Sequence, residues 1–407
     1  MKDSVHARLG IIHGHLGEGN LSGGVGSPVQ KRHVCLIGSC IRDIQAWVSP
    51  GEKMAPGGSS MGRVTYSAGG VAFNIARALR SLLEYVFTEC MCEVELISAV
   101  GDDEAGKDLI KMCQANNIST RGVSRIPNGP RTASVVIVFD GSGDVAYSVA
   151  DVDIVERFLT PDLVSRSIHP SLGLGGILVL DGDLDQASIL RACKDASRSR
   201  YQVVFEPTSR SKAPRCIPAL KHIDYITPNV DELTSIVHKL CQHHPDNFPK
   251  SCRRGRASIE KQPRGINIPS VFLNLAQPAA AVVQAGVGHV LVTAGDQGAA
   301  LFFTAPENND TLKCIYCPAL PTQVVSVSGA GDCLAAGFIL GLTMDATPRV
   351  ALAMGIANAW EALQSESNVS DSMEEKRFKA NVDHVLTQIQ EAHVSIQCCC
   401  ITCCMGE

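Results

Sequence analysis

The sequence predicts an α/β protein: a doubly wound, mostly parallel sheet with helices on both faces, plus a small β-sheet lid. Three observations predict it. Short, continuous apolar runs recur along the chain and end in Gly, Asp, Pro or Asn, as strands buried on both faces do. Segments of helical periodicity separate these runs, which is the alternation of βα units. Two stretches break the rhythm with turn residues and β-rich arms.

Residues 1–30 are Gly-rich, contain acids and lack the apolar core of a signal peptide, so they predict a flexible leader, with organelle targeting left open. "HVCLIG" (33–38) is the first strand. Residues 43–67 hold few helix formers and several Gly and Pro, and form the first part of the lid. A helix over 70–84, the strand "VELISAV" (94–100) and a helix over 103–117 follow. "TASVVIVFDGSGDVAYSV" (132–149) predicts a hairpin around Asp140 to Asp144, the second part of a lid spanning about 43–67 and 131–153. Next come "GILVLDG" (176–182), a helix over 185–198, "YQVVFEP" (201–207), "IDYITPN" (223–229) and a helix over 230–241. The basic, proline-containing segment 243–266 predicts a mobile surface insertion rather than a nucleic-acid patch. A helix over 277–286, the strand "HVLVTAG" (289–295), a strand-like "TQVVSVS" (322–328) and an apolar helix from Gly331 complete the core. An amphipathic helix over about 373–392 and a cysteine-rich tail end the chain.

Composition narrows the function. Hydrophobic residues at 45% and charged residues at 19% allow a sizeable globular core. A net charge of -5 gives no reason to expect nucleic acid or an anionic membrane as partner. No apolar stretch reaches the roughly 18–20 residues that span a bilayer. The 17 cysteines are scattered through apolar runs, as at Cys35, Cys113 and Cys193, where Cys acts as a small hydrophobe. Reduced thiols and a cytoplasmic location are therefore expected. Cys314 and Cys317, and Cys400 and Cys403, have C-x-x-C spacing, but no second pair stands nearby in a zinc register. The tail predicts a disordered, thiol-rich segment, with acylation left open.

The chemistry concentrates at Ser328-Gly329-Ala330-Gly331-Asp332. The first N–H groups of a helix lack internal partners, and its dipole favours negative charge there. Gly329, Ala330 and Gly331 would offer such groups to a phosphoryl group in transfer. Asp332 would accept the proton of an attacking hydroxyl. The helix behind, "CLAAGFILGL", is apolar on all sides and so buried, which fixes the donors.

"VVSVSGAGDCLAAGFILGL" resembles the C-terminal signature of the ribokinase (PfkB-type) family of sugar and nucleoside kinases, and "SAGGVAFNIARAL" (67–79) resembles its other signature. The resemblance covers about residues 33–365. It implies a ribokinase-like kinase domain over 31–365, with the leader before it and a helix and cysteine-rich tail (366–407) after it. It implies ATP and Mg²⁺. It places Gly69 and Gly70 against a sugar, with Asn74 and Asp43 binding its hydroxyls. "TPNVDEL" (227–233) matches an Asn-x-x-Glu motif, putting Asn229 near the nucleotide and Glu232 near magnesium through water. "VTAGDQGAALF" (292–302) is similar to the nucleotide-binding turn, so Thr293, Gly295 and Gly298 line the ATP cleft; Asn358 matches an adenine-side position. Phe73 stands where a small or basic residue is usual and would crowd the sugar, and Ser326 replaces an acid, which speaks against a monovalent-cation site.

Within the family, "SPGEKMAPGGSSMGRVTYSAGGVAFNIARAL", "VAYSVADVDIVERFLTPDLV" and "VVFEPTSRSKAPR" look most like pseudouridine kinases, which adds Asp151 and Lys212 to the substrate-binding set. The implied reaction is transfer of the ATP γ-phosphoryl group to the 5'-hydroxyl of pseudouridine. Ribose, adenosine, fructose or a keto-deoxy sugar acid are alternative acceptors, and a non-catalytic nucleoside-binding regulator is the alternative from another class. The expected partners are these small molecules, and an exposed lid edge invites a second copy of the chain.

Overall fold

The computed structural model describes residues 32–395 apart from 53, 55–56, 88–91, 143–144, 169–174, 244–266, 306–307 and 371–372. The predicted leader, nearly all of the 243–266 insertion and the cysteine-rich tail therefore lie outside the described residues.

The elements run in chain order. The first half contains β1 (Arg32–Ile37), β2 (Ile41–Val48), β3 (Gly62–Gly69), α1 (Val71–Tyr85), β4 (Cys92–Gly101), α2 (Glu104–Ala115), β5 (Ser119–Ile126), β6 (Ser134–Phe139), β7 (Val145–Asp151), α3 (Asp153–Phe158) and α4 (Pro161–Ser167). Then come β8 (Gly176–Asp181), α5 (Gln186–Arg198), β9 (Tyr201–Glu206), β10 (Tyr225–Ile226), α6 (Val230–His243), α7 (Ser270–Gln284), β11 (His289–Thr293), β12 (Ala299–Ala305) and β13 (Asn308–Cys317). The chain finishes with α8 (Ala330–Thr343), α9 (Pro348–Leu363), α10 (Glu375–Gln388) and β14 (Gln390–Ser395).

Ten strands form the main sheet in the order β14-β13-β12-β11-β10-β9-β8-β1-β4-β5. From β11 to β5 every pairing is parallel, and β12, β13 and β14 add antiparallel strands at the other edge. The two-residue period of a strand explains the two cores. On β1, Val34 and Leu36 join the cluster containing α1, α8 and α9, while Cys35 and Ile37 join the cluster containing α5, α6 and α7. Cys314 and Cys317 are three residues apart on β13, an odd spacing, so they enter opposite cores. They cannot chelate one metal, and burial pushes both thiols up to about 12.

The lid is a second sheet in the order β3-β2-β6-β7, with β6 and β7 as the predicted hairpin. Three expectations change. "TQVVSVS" has no strand partner and runs as a loop with Val324, Val325 and Val327 exposed. The helix expected at 277–286 begins earlier, at Ser270. The helix expected over 373–392 stops at Gln388, where β14 begins and pairs with β13. Phe378, Val382 and Val385 of α10 are buried in the same core as α1 and α8, so this helix packs into the domain core.

β1 lies between β4 and β8, so the chain leaves it on one side and returns on the other. In open α/β sheets, ligands bind at such a switch point, beyond the carboxyl ends of the strands.

Candidate active site

The switch point is tied together by a buried carboxylate. Asp181, the last residue of β8, accepts hydrogen bonds from Ser39 N (2.7 Å), Ser39 Oγ (3.0 Å) and Ala72 N (3.2 Å). Its Oδ2 would lie 2.1 Å from a Cβ on Gly38, so only glycine lets β1 end this close to β8. This bridge sets the starts of β2 and α1, and with them the two elements that bear Asp43 and Asn74.

Gly69 and Gly70 make room for the protein itself. A Cβ on Gly69 would sit 2.0 Å from Asp43 Oδ2, and one on Gly70, at φ 96°, would sit 2.6 Å from Ser39 O. Asp43 is buried at the base of the lid and accepts from Asn368 Nδ2 at 3.2 Å. Burial pushes its carboxyl up to about 6, against that hydrogen bond. Phe73, expected to crowd this pocket, points into the core and is fully buried. Ser326 accepts from the Ser328 N–H at 3.2 Å within its own loop.

α8 starts at Ala330, with Gly329 before it at φ 77°. That conformation and a Cβ position 2.1 Å from Asn368 O leave room for glycine alone. Gly331 has nothing within 4 Å of its Cβ position and lines an open cleft together with Ala330. From Cys333 to Thr343 the helix is wholly buried, as predicted. Asp332 is half-buried, and its Oδ2 accepts from Asn74 Nδ2 at 2.8 Å. Desolvation raises its pKa to about 7; Asp43, Glu232 and Asp183 push the same way and Asn74 opposes them.

Further carboxylates converge here. Glu206 ends β9, and burial followed by Asp332 and Glu232 raises its carboxyl strongly. Lys212 forms an ion pair with the buried Asp183, bringing a cation to the acidic group. Asp151 ends β7 exposed at the lid margin, opposite Ser134, which in turn pairs with Arg42 on β2.

On the other side of Gly331 lies a cleft of about 660 Å³. Asn229, Thr293, Gly295 and Gly298 line it, as do Leu320, Val327, Ile356, Trp360 and Leu363. Asn229 and Glu232 form a capping box at the start of α6: Glu232 N donates to Asn229 Oδ1 at 2.9 Å, and Asn229 N donates to Glu232 Oε2 at 2.8 Å. Burial raises the Glu232 carboxyl. Asn358 is turned away from the cleft; it is buried, and its Nδ2 donates to Cys333 O at 2.6 Å, joining α9 to α8.

Four participants escaped the sequence reading. Asp181 and Glu206 are single acids closing apolar strands, Asp183 follows the turn, and Asn368 lies beyond the boundary drawn at 365. An acid at the carboxyl end of a parallel strand is the signal that marks the first two.

The arrangement is an N-terminal helix turn with an apolar cleft on one side and a cluster of carboxylates beside Asp332. The chain matches the pfkB family of carbohydrate kinases over residues 31–251 and 267–376. It is 28% identical over 369 residues to the pseudouridine kinase of Arabidopsis thaliana, covering 82% of this chain and 91% of that one. It is 21% identical over 308 residues to the pseudouridine kinase of Escherichia coli, covering 76% and 83%. Among solved structures, a carbohydrate kinase from Agrobacterium tumefaciens superposes with a TM-score of 0.64 at 21% identity, covering 89% of this chain and 100% of that one. A ribokinase from Thermotoga maritima does so with a TM-score of 0.61 at 18% identity, covering 86% and 99%. The chain belongs to the pfkB family of carbohydrate kinases and is a phosphotransferase with an alcohol group as acceptor.

Proposed function

We propose that this kinase transfers the γ-phosphoryl group of ATP to the 5'-hydroxyl of pseudouridine. One observation carries the reading: Asp332 follows directly on Ala330 and Gly331, which line the cleft, and its carboxylate is bonded to Asn74 among the acids near the lid base. The cleft's apolar walls, with Trp360 among them, suit a nucleobase, and its volume is that of an ordinary small-molecule site. The similarity to the pseudouridine kinase of Arabidopsis thaliana, at 28% identity over 82% of the chain, favours that acceptor over other sugars and nucleosides.

Each residue's part follows from its place. Asp43 and Asn74 hold the ribosyl group at the lid base, with Gly69 and Gly70 keeping that corner tight. Lys212, paired with Asp183, bounds the acceptor side, whereas Asp151 stands at the lid margin on the face of Tyr147 and Val149. Asn229, Thr293, Gly295 and Gly298 bound the nucleotide. Asn358 supports the nucleotide side through its bond to α8 rather than by lining the cleft. Asp332 takes the hydroxyl proton, and the backbone of Gly329, Ala330 and Gly331 faces the charge that develops. The donor set fits magnesium: hard carboxylate oxygens surround the junction, yet among the described residues no three His, Cys, Asp or Glu converge to hold a metal directly. Glu232 would therefore hold it through water, as Mg²⁺ favours. When bound, the ion neutralises charge on the phosphates.

The lid supports a second copy of the chain as partner. Registers place Val64, Ala46, Val138 and Tyr147 in one cross-strand row and Tyr66, Ile44, Val136 and Val149 in the next, all on the face opposite Asp43. Val64, Tyr66, Tyr147 and Val149 are each more than half exposed. The next row on this face, Ala68, Arg42, Ser134 and Asp151, carries one charge of each sign, so a second copy meeting it across a two-fold axis could bury the two apolar rows with the charges at their margin. Among the described residues no helix is long and apolar enough to cross a membrane.

The test is an acceptor panel with purified protein, ATP and Mg²⁺: pseudouridine, uridine, ribose, adenosine, fructose and a keto-deoxy sugar acid. Pseudouridine should give the highest kcat/KM. Strong preference for ribose would overturn the acceptor assignment, and ligand-induced stabilisation without any product would favour a regulatory binder.

A further inference from the structure

Asn74 stands in the first turn of α1, its backbone N–H bonded to Gly70 O at 2.8 Å. Its side chain is 5% exposed, and its Nδ2 donates to Asp332 Oδ2 at 2.8 Å. Charge fixes the amide's orientation: turned over, its carbonyl would face a carboxylate and two acceptors would oppose each other. Its Oδ1 is buried and has no hydrogen-bond partner among the described residues. α1 packs directly on α8, so donor and carboxylate are carried by two helices locked into one core.

Resting on the reading of Asp332 as the base, we propose that Asn74 is its positioning residue: the amide N–H holds one carboxylate oxygen so that the other faces the acceptor hydroxyl, and it steadies the negative charge there. In the transfer, the acceptor O–H proton passes to the free oxygen of Asp332 while a new O–P bond forms. The bond from phosphorus to the bridging oxygen breaks, and its electron pair leaves with ADP. The surroundings make such an anchor necessary. Asp43 on β2, Asp183 after β8, Glu206 on β9 and Glu232 on α6 are acids close enough to Asp332 to disfavour its negative charge whenever they ionise. Arg77, also on α1, lies toward Cys333, the residue after the base. The Asn74 hydrogen bond is the contact that works against the acids.

The experiment measures kcat, acceptor KM and the pH dependence of kcat/KM in Asn74→Ala and the isosteric Asn74→Asp. In Asn74→Ala the acid limb should move up by about one pH unit, so that kcat/KM on the acid side falls about tenfold more than on the plateau, with kcat falling more than KM rises. In Asn74→Asp the limb should move further, because a second carboxylate replaces the donor. If Asn74→Ala fails to fold, the Asp variant decides alone. A raised acceptor KM with an unmoved limb would mean that Asn74 only binds the acceptor, and would overturn this role while leaving the kinase reading intact. A wild-type protein that phosphorylates no acceptor would overturn both.

Discussion

Gly331→Ala separates stability from catalysis at a single position. Gly331 has helical backbone within α8, no positive φ, and nothing within 4 Å of the point where a methyl group would stand. Alanine therefore fits without strain, and it removes the extra freedom that glycine has in the unfolded chain. The gain is about 0.5–1 kcal/mol. The same methyl projects into the cleft mouth, where the phosphoryl group must approach bare backbone. Losing one such backbone donor costs about 10²–10³ in kcat. Two residues earlier the sign of the stability effect reverses. At Gly329, φ 77° penalises alanine by about 1–2 kcal/mol. The methyl would also meet Asn368 O at 2.1 Å and push on the residue that holds Asp43. Denaturant unfolding with parallel turnover assays on both variants tests this. Gly331→Ala should unfold at equal or higher denaturant with severely reduced kcat, and Gly329→Ala should lose both. Full turnover in Gly331→Ala would refute the idea that phosphate lies against this backbone.

Asp43 links function to pH. Its carboxyl titrates near 6 in the folded protein against about 3.8 when unfolded, so the folded state binds more protons between those values. Stability then declines as pH rises through that window, by on the order of 2–3 kcal/mol. Asp43→Asn should flatten this slope in thermal melts of the ligand-free protein and lose turnover; an unchanged slope would show that Asp43 is not held protonated by burial. Because Asp332 titrates near 7, kcat/KM for wild type should fall as pH drops below about 7, which a pH–rate profile checks. Glu232→Gln keeps a capping side chain at the third position of α6, so unfolding should change by under about 1 kcal/mol while the Mg²⁺ concentration for half-maximal rate rises. An unchanged Mg²⁺ requirement would limit Glu232 to the helix cap. Tyr147→Glu puts a charge in the apolar lid face and should convert a dimer into monomers in sedimentation; a wild type already monomeric at micromolar concentration would remove the lid-to-lid pairing.

The parallel half of the sheet was legible because those strands are buried on both faces and read as unbroken apolar runs: β1, β4, β8, β9 and β11 stand where the pattern puts them. The antiparallel edge was not. β13 carries polar residues at its start and β14, "QEAHVS", has no apolar pattern; each exists because a neighbour offers a free edge. "TQVVSVS" shows the converse: β-branched residues with no edge to join stay a loop. At the site, contiguous motifs were readable because helix-start chemistry is local: Gly329 to Asp332, and Asn229 with Glu232. Asp181, Glu206 and Asn368 were not, since each is an isolated polar residue given meaning by partners more than 100 residues away, as Asp181 is by Ser39 and Asn368 by Asp43. Asn358 failed for the opposite reason: a loose motif match placed on the ligand side a residue that helix packing turns inward.

The most direct measurement is phosphoryl transfer by Asp332→Asn beside wild type, with ATP, Mg²⁺ and the best acceptor of the panel, under conditions where both proteins show the same unfolding transition. The amide keeps the shape and the contact distance to Asn74 but cannot accept the proton, so kcat should fall by about 10²–10⁴ with little change in acceptor KM. Turnover within a few-fold of wild type would contradict the assignment of Asp332 as the base.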